Sequence, residues 1–524
     1  MGYLEVLLTA VMLAVILGLW KLFMDLIWRP YAITRHFAKQ GIKGPSYSIL
    51  TGSLKEIERL ELEAKQKPMD PSSLDVTPKV LPHYHRWSRD YGETFLFWFG
   101  TQPRLSIVDP ELIKEVLSTK FEYYTVDKPA PSVHALLGNG LLSLTGVDWV
   151  RHRRAVNPAF HVDKLKGMIK RMAACSQSTL DQWANEMAHP GGDQKDFDMH
   201  KEFMQLTGDI ISHTSFGTSY KEGKEVFQVE RELHHMVIES VTDVNIPGSE
   251  YLPTKWNRRM WKLEKRLRNQ LRAIIESKLR MRNEGQDDFG DDLLGLMMSI
   301  SEIGGPNKKA KMDATLTINE IIDECKTFFF AGHETTSNLL TWAMYFLSIN
   351  QEWQEKLREE VASVCGPTKL PDADNLARLK LVTMVIFETL RLYSPVIFTE
   401  RKAVSDLKLG NLMIPKDTVV TFPFPIIHRN KKYWGDDADE FNPLRFADGF
   451  SRAAKHPNAL IAFSMGPRVC VGQNFAMLEA KTVLSMILQR FSFSLSPTYK
   501  HSPVNNILLQ PEFGVPIIFK PLHM

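Results

Sequence analysis

Residues 3–20 form an almost unbroken apolar run, interrupted only by Glu5 and Thr9, and Leu22, Phe23, Leu26 and Ile27 extend it. Roughly 20 apolar residues make a helix long enough to cross a bilayer, so residues 1–28 are expected to form a transmembrane anchor. No small-x-small cleavage site ends the run, which argues against a signal peptide. Lys21, Arg29, Arg35, Lys39 and Lys43 follow it. The excess of positive charge on that side predicts a single pass with the body of the chain in the cytosol. Residues 29–50 are expected to act as a linker, broken at Gly44-Pro45, ahead of a domain over 51–524.

Within that domain, apolar and polar positions alternate over 95–109, and Phe95-Leu-Phe-Trp-Phe and Leu105-Ser-Ile-Val predict two strands. Helical spacing dominates from about residue 110 to 285. Over 255–282, Leu263, Leu267, Leu271 and Ile274 make an apolar stripe among Arg258, Arg259, Lys262, Lys265, Arg266, Arg268 and Arg272. That pattern is an amphipathic surface helix, suited to anionic lipid. Residues 304–311 read as a polar loop. Thr317-x-x-Glu320 is a capping box that opens a long helix running to about Asn350. Its middle, Phe328-Phe-Phe-Ala-Gly-His-Glu-Thr-Thr336, breaks the apolar pattern. Gly332 costs about 1 kcal/mol inside a helix relative to alanine, and threonines bend helices by bonding a carbonyl one turn back. The helix is expected to open at Gly332 into a groove for a diatomic ligand and water. Glu388-Thr-Leu-Arg391, flanked by Phe387, Leu390 and Leu392, predicts a buried ion pair on a helix that stops at Ser394-Pro395. The expected fold is mainly α with small β-sheets, one large domain behind a transmembrane helix.

The 524 residues are 44% hydrophobic, enough for a large core, and no repeat or low-complexity linker divides them. A net charge of +3 points away from nucleic acid as a partner. The 4 cysteines form no C-x-x-C pair, which argues for a reducing compartment and against a disulfide framework.

Cys470 is the cysteine flanked by glycines and a cation, in Phe463-Ser-Met-Gly-Pro-Arg-Val-Cys-Val-Gly472, and a helical pattern starts directly after it. Backbone N–H groups and the dipole at a helix N-terminus stabilise a thiolate. One sulfur does not make a zinc site, which needs about four ligands. It suffices where a macrocycle supplies the others, as in haem. The same ten residues also read as a glycine-rich turn around a structural cysteine. Trp149-x-x-x-Arg153 puts an indole N–H and a guanidinium on one helix face, able to bind carboxylates. A basic surface helix has the same spacing. Arg154, Lys164, Lys166, Lys170 and Arg171 follow, either as a solvated face or as a docking surface for an acidic reductase.

The pattern Phe463-x-x-Gly466-x-Arg468-x-Cys470-x-Gly472 closely resembles the haem-binding loop of the cytochrome P450 (haem-thiolate monooxygenase) family. Ala331-Gly332-His333-Glu334-Thr335-Thr336 resembles that family's oxygen-activation segment. Phe441-Asn-Pro-Leu-Arg-Phe446 resembles its P-E-R-F segment, with leucine at the glutamate position and Arg445 kept. Arg29-Pro30, Leu81-Pro82-His83-Tyr84 and Asp291-Asp292-Leu293-Leu294-Gly295-Leu296 look like the plant non-A-type clan that contains cytokinin hydroxylase and brassinosteroid-inactivating hydroxylases. Glu324-Cys-Lys-Thr-Phe-Phe-Phe is similar to the cytokinin hydroxylase group.

The resemblance implies haem b with Cys470 as the iron ligand. Trp149, Arg153, Arg401 and Arg468 would contact the propionates, while Phe463 and Gly472 complete the loop. Glu334 and Thr335 would be the acid–alcohol pair that delivers protons. It further implies a protein of the endoplasmic reticulum membrane, with NADPH–cytochrome P450 reductase as partner and O2 and a lipophilic hormone, terpenoid or fatty acid as substrates. Segments 133–137, 328–330, 396–399 and 507–509 would face that substrate. Two other classes fit a haem-thiolate site, an isomerase or dehydratase that needs no O2 and a non-catalytic haem sensor. Consumption of NADPH and O2 separates them.

Overall fold

The Ile318–Ile349 helix is the central element of the structure, a computed structural model. The structure describes residues 2–67, 69–70, 73–188, 194–217, 220–240, 248–284, 289–301 and 315–522, so the polar loop expected at 304–311 lies outside the described residues. Thr317 caps the central helix: Glu320 N donates to its Oγ1 at 3.3 Å, and its own N donates back to Glu320 Oε2 at 2.8 Å. From Ile321 to Ser348 every residue is buried except Ala331, Gly332 and Thr335. A helix apolar on nearly all sides is stable only when it is packed on all sides. This one is surrounded by the Pro131–Leu137, Met199–Ile211, Lys255–Asn283, Lys380–Leu392 and Gln473–Arg490 helices.

The central helix stays unbroken through Gly332, contrary to the expected opening. A Cβ on Gly332 would lie 2.8 Å from Ile211 Cδ1, so the glycine lets the Met199–Ile211 helix approach closely. Packing between helices, not a gap in this one, accounts for the residue.

Strands are few. Phe95–Phe99 and Gln102–Ser106 pair antiparallel, close to the expected positions. Gln102–Ser106 then runs parallel to Val419–Pro423, which pairs antiparallel with Phe398–Ala403, and Tyr124–Thr125 closes the five-stranded sheet. The Pro503–Asn506 and Leu508–Pro511 strands form a hairpin that turns at Ile507, where φ is 69°.

The N-terminal helix is continuous from Tyr3 to Ala38, with a π-turn at Met24–Trp28. No residue of Tyr3–Phe23 is buried, and among the described residues this is the one helix long and apolar enough to span a bilayer. Its last part, Arg29–Ala38, buries Pro30, Ile33 and Phe37. The chain therefore enters the domain as a packed helix. Gly44 follows only after Lys43 O has accepted a bond from Leu96 N at 2.9 Å.

Candidate active site

The loop before the Gln473–Arg490 helix is folded by its own backbone. Cys470 N donates to Phe463 O at 2.9 Å, and Val469 N donates to Gly466 O at 3.0 Å. Gly466 has φ of 70°, and a Cβ there would lie 2.3 Å from Leu117 O. This glycine is fixed by a left-handed turn and by a neighbouring backbone. Gly472 is under no such constraint: a Cβ would meet Phe160 Cε1 at 3.8 Å and Cys470 Sγ at 3.9 Å, ordinary contacts.

Cys175, Cys325 and Cys365 are buried, and Cys470 is accessible. Protein nevertheless surrounds Cys470 closely enough that burial pushes its thiol pKa up, against the N–H groups of Gly472 and Gln473 and the charge of Arg153. An accessible sulfur in a desolvated setting sits at the floor of a recess.

Around that recess the structure gathers the predicted cations. Arg153, on the Gly146–Val156 helix, donates to Val469 O at 2.9 Å. Arg468 donates to the carbonyls of Leu141 and Leu144, and its guanidinium lies 4.9 Å from the Trp149 ring centre. Arg401, on the Phe398–Ala403 strand, donates to Glu400 O at 2.7 Å. Burial, with repulsion from Arg401 and Arg153, brings the Arg468 pKa down to about 9. Burial brings Arg401 down to about 10, with Glu400 opposing. Half-buried cations that repel one another favour an anionic ligand. A flat macrocycle with two carboxylates and an axial position for a thiolate has that chemistry, so the residues present fit haem.

Two side chains behind the site were not anticipated from the sequence. His152 Nδ1 lies 2.6 Å from Glu324 Oε1, both buried, and Leu141 N donates to Glu324 Oε2 at 3.3 Å. Since Leu141 O accepts from Arg468, Glu324 holds the loop that holds the arginine. His152 sits inside the Trp149-x-x-x-Arg153 run, and no periodicity in one segment reveals a partner 172 residues away.

The acid and the alcohol of the central helix diverge. Thr335 is on the open face with Ala331 and Gly332, and its hydroxyl donates to Ala331 O at 2.6 Å. Glu334 is turned away into the Tyr220–Ser240 helix, where Oε1 lies 2.9 Å from His234 Nδ1. The three phenylalanines before them radiate, as successive residues at about 100° must. Phe328 lies 5.6 Å from Phe160, Phe329 stacks on Phe216 at 3.9 Å, and Phe330 stands edge-on to His234 at 5.3 Å.

Residues 74–517 match the family model described as Cytochrome P450. The chain belongs to the cytochrome P450 family. It is 49% identical to cytochrome P450 709B1 of Arabidopsis thaliana over 99% of both chains. It is 47% identical to cytochrome P450 709B3 of the same plant over 98% of both. With cytochrome P450 734A1 of Arabidopsis thaliana it shares 42% identity over 94% of this chain and 93% of the other. It is a monooxygenase of the plant CYP72 clan, with a haem-thiolate cofactor, a mainly helical fold and an apolar N-terminal helix. Membership carries with it a reductase partner and a small-molecule substrate.

Proposed function

We propose that this P450 is a single-pass protein of the endoplasmic reticulum membrane that hydroxylates a lipophilic small molecule of the hormone, terpenoid or fatty acid type. In this reading residues 1–28 lie in the membrane, residues 29–50 join them to the rest while packing on it through Ile33, Phe37 and Ile42, and residues 51–524 form the cytosolic haem-thiolate domain. Haem b, bound through Cys470, supplies reductive activation of O2, with electrons from NADPH arriving through NADPH–cytochrome P450 reductase. One oxygen atom enters the substrate and the other leaves as water.

The observation that carries the assignment is the accessible Cys470 with the charge of Arg153 acting on its sulfur, and Arg401 and Arg153 close enough to Arg468 to repel it. The Gly472 and Gln473 N–H groups and Arg153 hold negative charge on the sulfur, in line with their lowering of its pKa. Arg153, Arg401, Arg468 and Trp149 would hold the two propionates, and the loop from Phe463 to Gly472 would present the thiolate. The part-exposed Ala331 and Thr335 would face the bound macrocycle. The hydroxyl proton of Thr335 is committed to Ala331 O. Its oxygen therefore acts as an acceptor that holds a water in place, and Glu334 supplies the proton.

Replacing the ligand tests the assignment directly. Cys470→Ser is expected to lose the thiolate-type absorbance of the reduced, CO-bound protein. Serine at Cys175, Cys325 or Cys365 is expected to keep it. A normal thiolate spectrum in Cys470→Ser overturns the reading.

A further inference from the structure

His234 lies between two acceptors. Nδ1 is 2.9 Å from Glu334 Oε1, and Nε2 is 3.2 Å from the carbonyl oxygen of Asn506, at the tip of the Pro503–Pro511 hairpin. Both side chains of the pair are buried. A neutral imidazole has only one N–H to donate. Both contacts are satisfied in two ways. In one, an imidazolium faces a carboxylate. In the other, neutral His234 donates from Nε2 to Asn506 while protonated Glu334 donates to Nδ1. The two arrangements contain the same protons and the same net charge. They differ only in whether one proton is nearer to Nδ1 or to Oε1.

The surroundings favour keeping that proton within the pair. Glu230, one turn earlier on the same helix, is buried, and burial and the charge of Glu334 hold its carboxyl pKa well above the usual range, against Lys326. Its neutral form leaves His234 without a competing carboxylate. His200, on the Met199–Ile211 helix, and His333, beside Glu334, are both lowered by burial; Glu334 opposes this in each and Arg231 adds to it. His234 is the exception. Burial lowers it, but its hydrogen bond to Glu334, the charge of Glu334 and the hydrogen bond to the Asn506 carbonyl together raise it further than burial lowers it. The second oxygen of Glu334, Oε2, is buried and has no hydrogen-bond partner among the described residues.

We propose that His234 is the proton-holding and positioning partner of Glu334, so that the pair keeps one transferable proton behind the open face of the central helix. This rests on the reading of Glu334 as proton donor. In the transfer, the Nδ1–H bond breaks as an Oε1–H bond forms. The carboxyl group then turns about its terminal torsion, which is soft, and the proton leaves on the side where Oε2 now points. The pair passes from neutral to one negative charge, His234 keeps its Nε2–H on Asn506, and one proton from solvent restores it. No electron moves. The same contacts tie the Tyr220–Ser240 helix, the central helix and the hairpin tip together, so His234 also fixes where the acid points.

The test uses the full-length holoenzyme in lipid nanodiscs with its reductase, in wild-type, His234→Gln, His234→Phe and Glu334→Gln forms and the His234→Gln/Glu334→Gln double variant. Glutamine can donate to Glu334 but cannot carry an extra proton, so it keeps a cross-link and removes the titration. The first readout is thermal stability against pH, without turnover. A histidine with a raised folded pKa stabilises fully below its unfolded value near 6.5 and loses that contribution as pH rises through the folded value. The wild type is therefore expected to exceed His234→Gln at about pH 6, with the gap narrowing as pH rises above that, and to show no such gap once Glu334 is Gln. The second readout is hydrogen peroxide released per NADPH without added substrate, expected to rise severalfold in His234→Gln, His234→Phe and Glu334→Gln. If His234→Gln matches the wild type in both readouts, His234 is only a cross-link and the proposal fails. If Glu334→Gln releases no more peroxide than the wild type, the proton-donor reading of Glu334 fails, and delivery from the pair fails with it. A gap that does not change with pH, in an enzyme whose Glu334→Gln form leaks peroxide, removes the stored proton and leaves the Glu334 reading standing.

Discussion

Thr335 has its own hydroxyl proton engaged with Ala331 O at 2.6 Å, so toward the recess it can only accept. That geometry separates two roles for the residue. If the hydroxyl merely satisfies a carbonyl of the helix, removing it leaves chemistry intact. If its oxygen holds a water for proton transfer, removing it lets peroxide escape in place of product. Thr335→Ala is expected to keep haem and NADPH use and to lose product per NADPH. General acid–base groups contribute roughly 10²–10⁴-fold, and water entering the enlarged recess puts the loss at the low end. Thr335→Ser, which keeps the oxygen, is expected to keep most of the coupling. Fully coupled turnover in Thr335→Ala would falsify the role. A second residue-scale expectation concerns Arg468. A charge-assisted hydrogen bond contributes roughly 1.5–3 kcal/mol, so Arg468→Ala should weaken haem retention by roughly tenfold to a hundredfold. Arg258, exposed on the basic Lys255–Asn283 helix with its side chain donating to Pro253 O at 2.8 Å, gives the control. Competition with a haem-scavenging apoprotein measures both, and equal loss rates would count against the propionate assignment.

At the scale of elements, the buried pair on the Lys380–Leu392 helix organises the segments that follow it. Glu388 and Arg391 are fully buried, with Arg391 Nη2 2.7 Å from Glu388 Oε1. Arg391 also donates to the carbonyls of His428, Ala438 and Glu440, and Asn442 N donates to Glu388 Oε1 at 2.8 Å. Arg445 Nε lies 3.5 Å from the same carboxylate oxygen and its other nitrogens bond Asp437. Removing one partner leaves a buried charge alone, at about 3–5 kcal/mol. Arg391→Ala is therefore expected to yield no haem-loaded protein, judged by absorbance in isolated membranes. Leu444 stands where the family resemblance led one to look for a glutamate, and it is 57% exposed. Leu444→Glu is expected to change stability by no more than about 0.5 kcal/mol; a larger effect would mean that the loop and the ion-pair network are coupled.

These elements also mark what a sequence discloses. The capping box at Thr317, the Glu388–Arg391 spacing and the Cys470 loop were legible because each is local, set by residues three to nine apart. The continuous helix at Gly332 was not, since the reason for that glycine is Ile211 on another helix. Likewise nothing in the His234-His235 pair signals Glu334, 100 residues on. The family resemblance sets segment 328–330 as a whole toward the substrate, yet consecutive positions on a helix point in directions about 100° apart.

At the scale of the whole molecule, one helix has an exposed apolar part and a packed part. At 1.5 Å per residue, the 36 residues Tyr3–Ala38 extend about 54 Å, more than the roughly 30 Å of a hydrocarbon core. The excess is what the fold uses. Ile33 and Phe37, with Ile42 just beyond, join the core around Leu96, Trp98, Leu105 and Val420. Arg29 reaches Asp417 at 3.2 Å, His36 Nε2 lies 2.8 Å from Met413 O, and Gln40 Nε2 donates to the same carbonyl at 3.1 Å. These contacts lie on the domain side of residue 28, so two truncations should behave very differently. Deleting residues 2–28 removes no buried residue. It should move the protein toward the soluble fraction with haem content and melting temperature nearly unchanged. Deleting residues 2–42 also removes Ile33, Phe37 and Ile42, each contributing roughly 1.5–3 kcal/mol through burial; it takes Arg29 away from Asp417, leaving Lys402 at 4.0 Å, and takes His36 and Gln40 away from the Met413 carbonyl. That form should lose several kcal/mol of stability and much of its haem. Haem content per chain, measured after equal extraction, decides the matter. If the shorter deletion already loses haem, the apolar run is part of the folded core and not a separate anchor. If both deletions retain it equally, the packing of the Arg29–Ala38 segment contributes little, and the tether is independent of the domain.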